Sequence, residues 1–82
     1  MKLLRKNQLE KNALYQLVTR DFDGNVEDES EWVKVRFDGE TFRSVEDGDY
    51  WGEWLNDEND DGTLDVVAGN FEPPRDLALA FA

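Results

Sequence analysis

The sequence predicts a small α+β domain, with an antiparallel sheet of about four strands and one or two short helices. The length predicts a single domain, because 82 residues leave room for one core within 1–82. The composition predicts that the chain folds, since 39% hydrophobic residues with three Trp, two Tyr and five Phe are too many for a disordered acidic chain. An Asp38-Gly39 pair between two runs of β-forming residues predicts a hairpin.

The chain divides into a basic N-terminal segment (1–12), a core (13–76) and an apolar C-terminal tail (77–82). The N-terminal segment is polar with scattered leucines, which predicts a short helix or a frayed arm. We expect the helix to end near Asn12 and a strand to begin after Leu14, where β-forming residues accumulate. The tail is expected to dock on the sheet, with a flexible end as the alternative.

The strands of the predicted hairpin are the clearest elements. Residues 33–37 alternate apolar and basic side chains, the period of a half-buried strand. Asp38-Gly39 favours a type I′ turn, which needs positive φ at both central residues and would place Phe37 next to Glu40. Residues 63–68 contain β-branched and apolar side chains and predict a further strand.

Residues 44–56 are ambiguous, and a helix is slightly favoured over an extended segment. Ser44, followed three residues later by Asp47, resembles a helix-capping arrangement. Gly48 and Gly52 argue against the helix, because each costs about 1 kcal/mol relative to Ala in a helix interior.

The composition also removes most catalytic chemistry. The chain has no Cys and no His, which excludes disulfides, thiolate metal sites, an imidazole base and a Ser-His-Asp triad. We therefore expect a binding protein and not an enzyme. No apolar run approaches the ~20 residues that cross a bilayer, and the first residues do not resemble a secretory signal. We expect the protein to act in the cytoplasm, of its own cell or of a host.

The charge is strongly asymmetric along the chain. Nine Lys and Arg face twenty Asp and Glu, a net charge of −11, and residues 44–74 hold ten acids and no base. An acidic surface repels nucleic acid and anionic membranes and attracts basic proteins, most often those that bind nucleic acid. We call the following residues the predicted contact acids: Glu46, Asp47, Asp49, Glu53, Asp57, Glu58, Asp60 and Asp61, with Glu27, Asp28, Glu29 and Glu31 second.

Trp51 and Trp54 also belong to the predicted partner surface, because Trp and Tyr dominate binding hot spots. Together with Tyr50 they form an aromatic cluster inside the base-free stretch. The same rings are large enough to supply the core of a small domain. We expect two of the three to be core residues and one to be exposed.

One segment has the spacing of metal ligands. Residues 57–65 resemble the first nine positions of an EF-hand calcium loop, in which oxygen ligands surround a tight glycine turn. The departure is at the twelfth position, where Ala68 replaces the bidentate Glu, so an acidic turn is the favoured interpretation and any calcium binding would be weak. The candidate ligands are Asp57, Asn59, Asp61, Thr63 and Asp65.

These patterns together predict a small acidic binding protein that inhibits or sequesters a basic, nucleic-acid-handling partner through a carboxylate-rich face. Carboxylates in a row on a helix or strand have a spacing similar to that of successive phosphates. By size and charge the chain is similar to phage-encoded inhibitors of restriction, CRISPR or repair enzymes and to nuclease immunity proteins. Two alternatives remain open: a calcium-binding module, and a structural or accessory protein whose acids serve only solvation.

Overall fold

A computed structural model describes residues 1–72, which form one four-stranded antiparallel sheet. The spatial order of its strands is β3-β2-β1-β4. The strands are β1 (Leu14–Leu17), β2 (Val33–Phe37), β3 (Phe42–Ser44) and β4 (Val66–Ala68). The predicted four-stranded antiparallel sheet is therefore confirmed. The apolar tail (77–82) and the end of the predicted core lie outside the described residues.

Helical structure in residues 1–72 is limited to three short 3-10 turns, Lys6–Gln8, Glu29–Glu31 and Gly52–Leu55, and contains no α-helix. The predicted helices are therefore not confirmed. None of these turns has the length or the apolar character that a membrane-spanning helix requires.

The N-terminal segment is neither a frayed arm nor an α-helix: it lies beside β4, and its helical structure is the single 3-10 turn Lys6–Gln8. The Leu4 N–H donates to the Val66 carbonyl (2.9 Å), and the Leu64 N–H donates to the Leu4 carbonyl (2.8 Å). The helix expected to reach Asn12 is absent, because the 3-10 turn Lys6–Gln8 ends at Leu9, whose backbone is extended (φ −77°, ψ 137°). Asn12 itself has a φ of 71°, a left-handed conformation that Asn tolerates better than most residues. The chain therefore enters β1 through a turn.

The β2–β3 hairpin is confirmed, but its predicted register is wrong by one position on each strand. Phe37 pairs with Phe42, not with Glu40, and the Asp38 N–H donates to the Thr41 carbonyl (3.0 Å). The central turn residues are therefore Gly39 and Glu40, and only Gly39 has a positive φ, of 103°. The Asp38 carboxylate holds this turn closed, because its Oδ1 accepts the N–H groups of Glu40 and Thr41 (both 2.8 Å).

The segment after β3 turns back on itself where a helix was slightly favoured. Gly48 has a φ of 78° and its N–H donates to the Ser44 carbonyl (2.9 Å), which closes a tight turn. The next residues run back along β3, with Tyr50 bridged to Arg43 and the Trp51 N–H donating to the Phe42 carbonyl (2.8 Å). The extended alternative therefore describes residues 49–51 better than the helix does.

The core lies on one face of the sheet. Alternation along β1 and β2 brings Tyr15, Leu17 and Val35 to that face, and all three are buried. Phe42 is fully buried, with its ring centroid 6.1 Å from that of Tyr15 and 5.4 Å from that of Phe37. Such aromatic pairs add about 0.5–1.5 kcal/mol beyond the area they bury. The 3-10 turn Gly52–Leu55 closes over this face and buries Leu55.

Candidate functional site

All twelve predicted contact acids are exposed. None of them is ion-paired within residues 1–72, where the ion pair is Arg20 with Asp65. No Lys or Arg of the described chain therefore forms an ion pair with any of these acids.

Three of the twelve have a second role, because they hold turns closed. Asp28, Asp47 and Asp61 each accept the backbone N–H two residues later, at 3.0 Å in each case. The N–H groups of Ser30 and Asp49 hold the pKa of Asp28 and Asp47 below its usual value, and the hydroxyl and N–H of Thr63 do so at Asp61. Asp has the side-chain length for such turns, whereas Glu does not. Eight of the other predicted acids make no side-chain hydrogen bond within 1–72: Glu27, Glu29, Glu31, Glu46, Glu53, Asp57, Glu58 and Asp60.

Two acidic segments that are distant in sequence meet at one surface cavity of about 290 Å³. Glu31 contributes from the second 3-10 turn, and Glu46 and Asp47 from the turn after β3. Trp51 forms part of the wall, and Lys34 is the lining base. We call this cavity, with its three carboxylates, the acidic cleft. It combines negative charge with an indole surface, the two features that bind Lys or Arg side chains.

A second cavity of about 300 Å³ lies beside the Arg20–Asp65 ion pair. Its walls are largely apolar, with Trp54 and Val18 prominent, and Glu53 and Asp57 complete it. Hydrogen bonds from Arg20 hold the pKa of Asp65 below its usual value, at Nε–Oδ2 2.9 Å and Nη2–Oδ1 3.1 Å. The Asp65 carboxylate is therefore paired with Arg20, and the unpaired acids that line this cavity are Glu53 and Asp57.

The last predicted acids lie near the N-terminal segment. Glu58, Asp60 and Asp61 line an open cavity of about 520 Å³. A Cβ placed on Gly62 would lie 2.6 Å from Arg5 Nη1, so the Arg5 guanidinium packs against this loop and weakens its negative field. The predicted acids of residues 46–61 therefore form separate groups and not one row. Residues 44–56 contain no α-helix, only the 3-10 turn Gly52–Leu55, so the four-residue spacing that would have aligned these acids is absent.

The calcium-loop geometry gains no support from the hydrogen bonds of residues 57–65. Asn59 Nδ2 donates to Thr63 Oγ1 and to Asp65 Oδ1, both at 3.1 Å, so the amide presents its donor to the other candidate ligands. The Thr63 carbonyl accepts the Asn59 N–H (2.7 Å), and Asp61 accepts the Thr63 hydroxyl (2.6 Å). Across residues 1–72 no group of three or more Asp or Glu is arranged to hold a metal ion. Asp57 stands apart from this network.

The aromatic cluster divides as expected, with two rings packed and one exposed. Trp51 and Trp54 pack against the core with their centroids 5.6 Å apart, and Trp54 Nε1 donates to the Val18 carbonyl (3.1 Å). Tyr50 is 67% exposed, and its ring faces the Arg43 guanidinium at 5.1 Å. Trp51 also borders the acidic cleft, and Trp54 borders the cavity beside the Arg20–Asp65 ion pair. Packing against the core and contact with a partner are therefore compatible roles for both residues.

Sequence reasoning missed the most exposed aromatic ring of the described chain. Residues 19–27 form a short hairpin, here called the hairpin arm, in which the Glu27 N–H donates to the Thr19 carbonyl (2.9 Å). Phe22 is at its tip with an exposed fraction of 105%. The sequence signal for this exposure is the pair of turn-forming residues Asp21 and Gly24, which lie one residue before and two residues after Phe22. Their positions place Phe22 within a turn and not at the end of a strand.

Comparisons with known proteins add no relative. A scan against protein-family models, a search of curated proteins and a search of solved structures each returned no match. The functional argument therefore rests on the chemistry of the surface.

Proposed function

We propose that this protein binds a basic, nucleic-acid-handling protein and competes for the cationic surface that this partner uses to hold nucleic acid. The protein would act in the cytoplasm as an inhibitor or sequestering factor, without catalysis. The observation that carries the proposal is the acidic cleft, where Glu31 and Glu46 converge from separate segments and neither carboxylate has a partner within residues 1–72.

Electrostatics favours this kind of partner. Like charges 4 Å apart repel by about 1 kcal/mol in water and by more near a protein surface. A surface with several exposed carboxylates and a net charge of −11 is stabilised most by a partner that brings Lys and Arg to it. The two cavities with Trp walls add apolar surface next to the charge, which suits the long aliphatic stems of Lys and Arg.

The structure identifies the acids that are best suited to a test by mutation. Asp61 caps its own turn, and Arg5 lies against the same loop, so reversal of its charge would alter the local fold as well as the surface. Glu31 and Glu46 border the acidic cleft and make no side-chain hydrogen bond within residues 1–72. A Glu31→Lys, Glu46→Lys double variant therefore changes the surface charge with the least effect on the fold.

The experiment is an affinity capture from source-cell lysate with three baits, followed by titration of the purified captured protein. The baits are the wild type, the Glu31→Lys, Glu46→Lys variant, and a matched control with the same charge change, Glu10→Lys with Glu40→Lys. Both control glutamates are exposed and neither lines the acidic cleft.

We expect the wild type and the control to capture the same basic protein, and the cleft variant to bind it about tenfold more weakly or worse. Equal capture by all three baits would move the contact surface away from the cleft. A captured protein with no basic surface would contradict the proposal.

A further inference from the structure

We propose that Phe22 is an anchor with which the hairpin arm docks into an apolar pocket, rimmed by Lys and Arg, on the partner protein. This inference rests on the proposed function and adds to it a specific contact outside the acidic cleft. The starting observation is the exposure of 105% at Phe22, against 67% at Tyr50. Within residues 1–72 the Phe22 ring has no aromatic or cationic neighbour.

The arm that carries this ring is well braced. The Asp21 N–H donates to the Asn25 carbonyl (2.8 Å), and the Gly24 N–H donates to the Asp21 carbonyl (3.0 Å). Asp21 Oδ1 also accepts the N–H groups of Asp23 (3.0 Å) and Asn25 (2.9 Å). These hydrogen bonds join residues that precede and follow Phe22 in the sequence. They fix the backbone that carries its ring.

Arg20 ties the arm to the sheet. Its Nη1 donates to the Gly24 carbonyl (2.9 Å), while Nε and Nη2 donate to the Asp65 carboxylate just before β4. One guanidinium therefore joins the turn that holds Phe22 to the body of the domain. A surface loop that is ordered before binding loses less conformational entropy when it docks.

An exposed Phe on an ordered turn has the properties of a binding anchor. Aromatic side chains dominate the energetics of interfaces because they bury a large area with few rotatable bonds. A ring that serves no packing role in the protein itself is available in full to a partner. In this chain the packed aromatic residues are elsewhere, among them Phe37 and Phe42.

The neighbours of Phe22 define the partner pocket. Asp21 and Asp23 flank the ring directly, and every residue from Asp21 to Glu31 is exposed, with six acids and no base. An apolar pocket complements the Phe22 ring, and a rim of Lys and Arg around that pocket complements the surrounding acids. A second copy of this chain is disfavoured as the occupant, since it would bring another −11 of net charge to the same place.

The test uses the full chain with the photoreactive amino acid p-benzoylphenylalanine at position 22, irradiated in source-cell lysate. The cross-linked protein is identified and purified, and its Kd is measured by calorimetry against the wild type, Phe22→Ala, Phe22→Trp and Tyr50→Ala. Tyr50 is the matched control, because it is also an exposed aromatic residue but already faces Arg43. Thermal melting of each variant checks that it is folded.

We expect Phe22→Ala to weaken binding about 30-fold, as for a central anchor, and Phe22→Trp and Tyr50→Ala to remain within about threefold of the wild type. The cross-link should lie beside Lys or Arg residues of the partner. Wild-type affinity in Phe22→Ala, with a loss in the Glu31→Lys, Glu46→Lys variant, would overturn the anchor and leave the proposed function standing. A partner that needs Phe22 but is insensitive to the double charge reversal would support the anchor and overturn the acidic cleft as the contact surface. A captured protein with no basic surface, or the absence of any captured protein, would overturn both.

Discussion

Two hairpins in this chain share the same turn chemistry and have opposite surroundings. In the hairpin arm, Asp21 Oδ1 accepts two backbone N–H groups of its turn, and in the β2–β3 hairpin Asp38 Oδ1 does the same. The β2–β3 hairpin buries its aromatic residues, with Phe42 at 0% exposure, whereas the arm leaves Phe22 fully exposed. Local turn signals therefore predict where the chain reverses, and neighbouring strands decide whether an aromatic ring becomes core or surface.

The largest expected effect separates the two hairpins by stability. Phe42→Ala removes the ring that contacts both Tyr15 and Phe37, and it should lower the free energy of unfolding by about 3–5 kcal/mol. Phe22→Ala removes a ring without packing contacts and should change that free energy by less than about 0.5 kcal/mol. Urea unfolding of both variants measures the difference. Equal destabilisation would mean that the arm packs on the domain.

A smaller effect concerns how firmly the arm is held. Arg20→Gln removes the two hydrogen bonds to Asp65, whose side chain is only 20% exposed, and should cost about 1 kcal/mol of stability. The loss should be local, so hydrogen exchange should accelerate at the amide of Glu27 in the arm. The amide of Phe37 in the β2–β3 hairpin should change only with global stability. Parallel acceleration at both amides would contradict an independently braced arm.

The smallest expected effect is on the pH dependence of stability. Hydrogen bonds from Arg20 lower the pKa of Asp65. At Asp38, burial raises the pKa, but the N–H groups of Thr41 and Glu40, with nearby bases, give a net lowering. A lowered pKa in the folded state means that the unfolded chain binds protons more readily. The stabilisation is therefore present above the ordinary carboxyl pKa of about 4 and is lost as the pH falls through the folded value.

Thermal unfolding at pH 7 and pH 3 tests this assignment with Asp65→Asn as the reference. Acid also relieves repulsion among the exposed carboxylates, so the informative quantity is the difference between wild type and variant. We expect the wild type to lose more stability than Asp65→Asn between the two pH values. Identical losses would mean that the Asp65 carboxylate does not contribute through its charge.

Much of the sheet was predictable from sequence because its signals are local. Alternation in residues 33–37 and an Asp-Gly pair identified the hairpin, although not its register, since Asp38 served as a capping residue and Gly39 took the first turn position. The helices were not predictable in the same way. Residues 44–56 carry both helix-compatible spacing and two glycines, and tertiary pairing of residues 49–51 with β3 decided the outcome.

The candidate site was predictable in composition but not in arrangement. All predicted contact acids are exposed, as their charge required. The convergence of Glu31 with Glu46 depends on a long-range approach of two loops, which no local pattern encodes. The division between capping Asp and uncommitted Glu residues could have been read from side-chain length and turn position, whereas the exposure of Phe22 depended on the fold around it.

The central claim is that exposed carboxylates around the acidic cleft bind a cationic partner. The most direct measurement is the affinity for the captured partner across NaCl concentrations from about 50 to 300 mM, over which the Debye length shrinks by a factor of about 2.4. The account predicts a steep loss of wild-type affinity with salt, mainly through the association rate, and a clearly shallower loss in the Glu31→Lys, Glu46→Lys variant. A wild-type affinity that is independent of salt, or an equal dependence in both proteins, would contradict it.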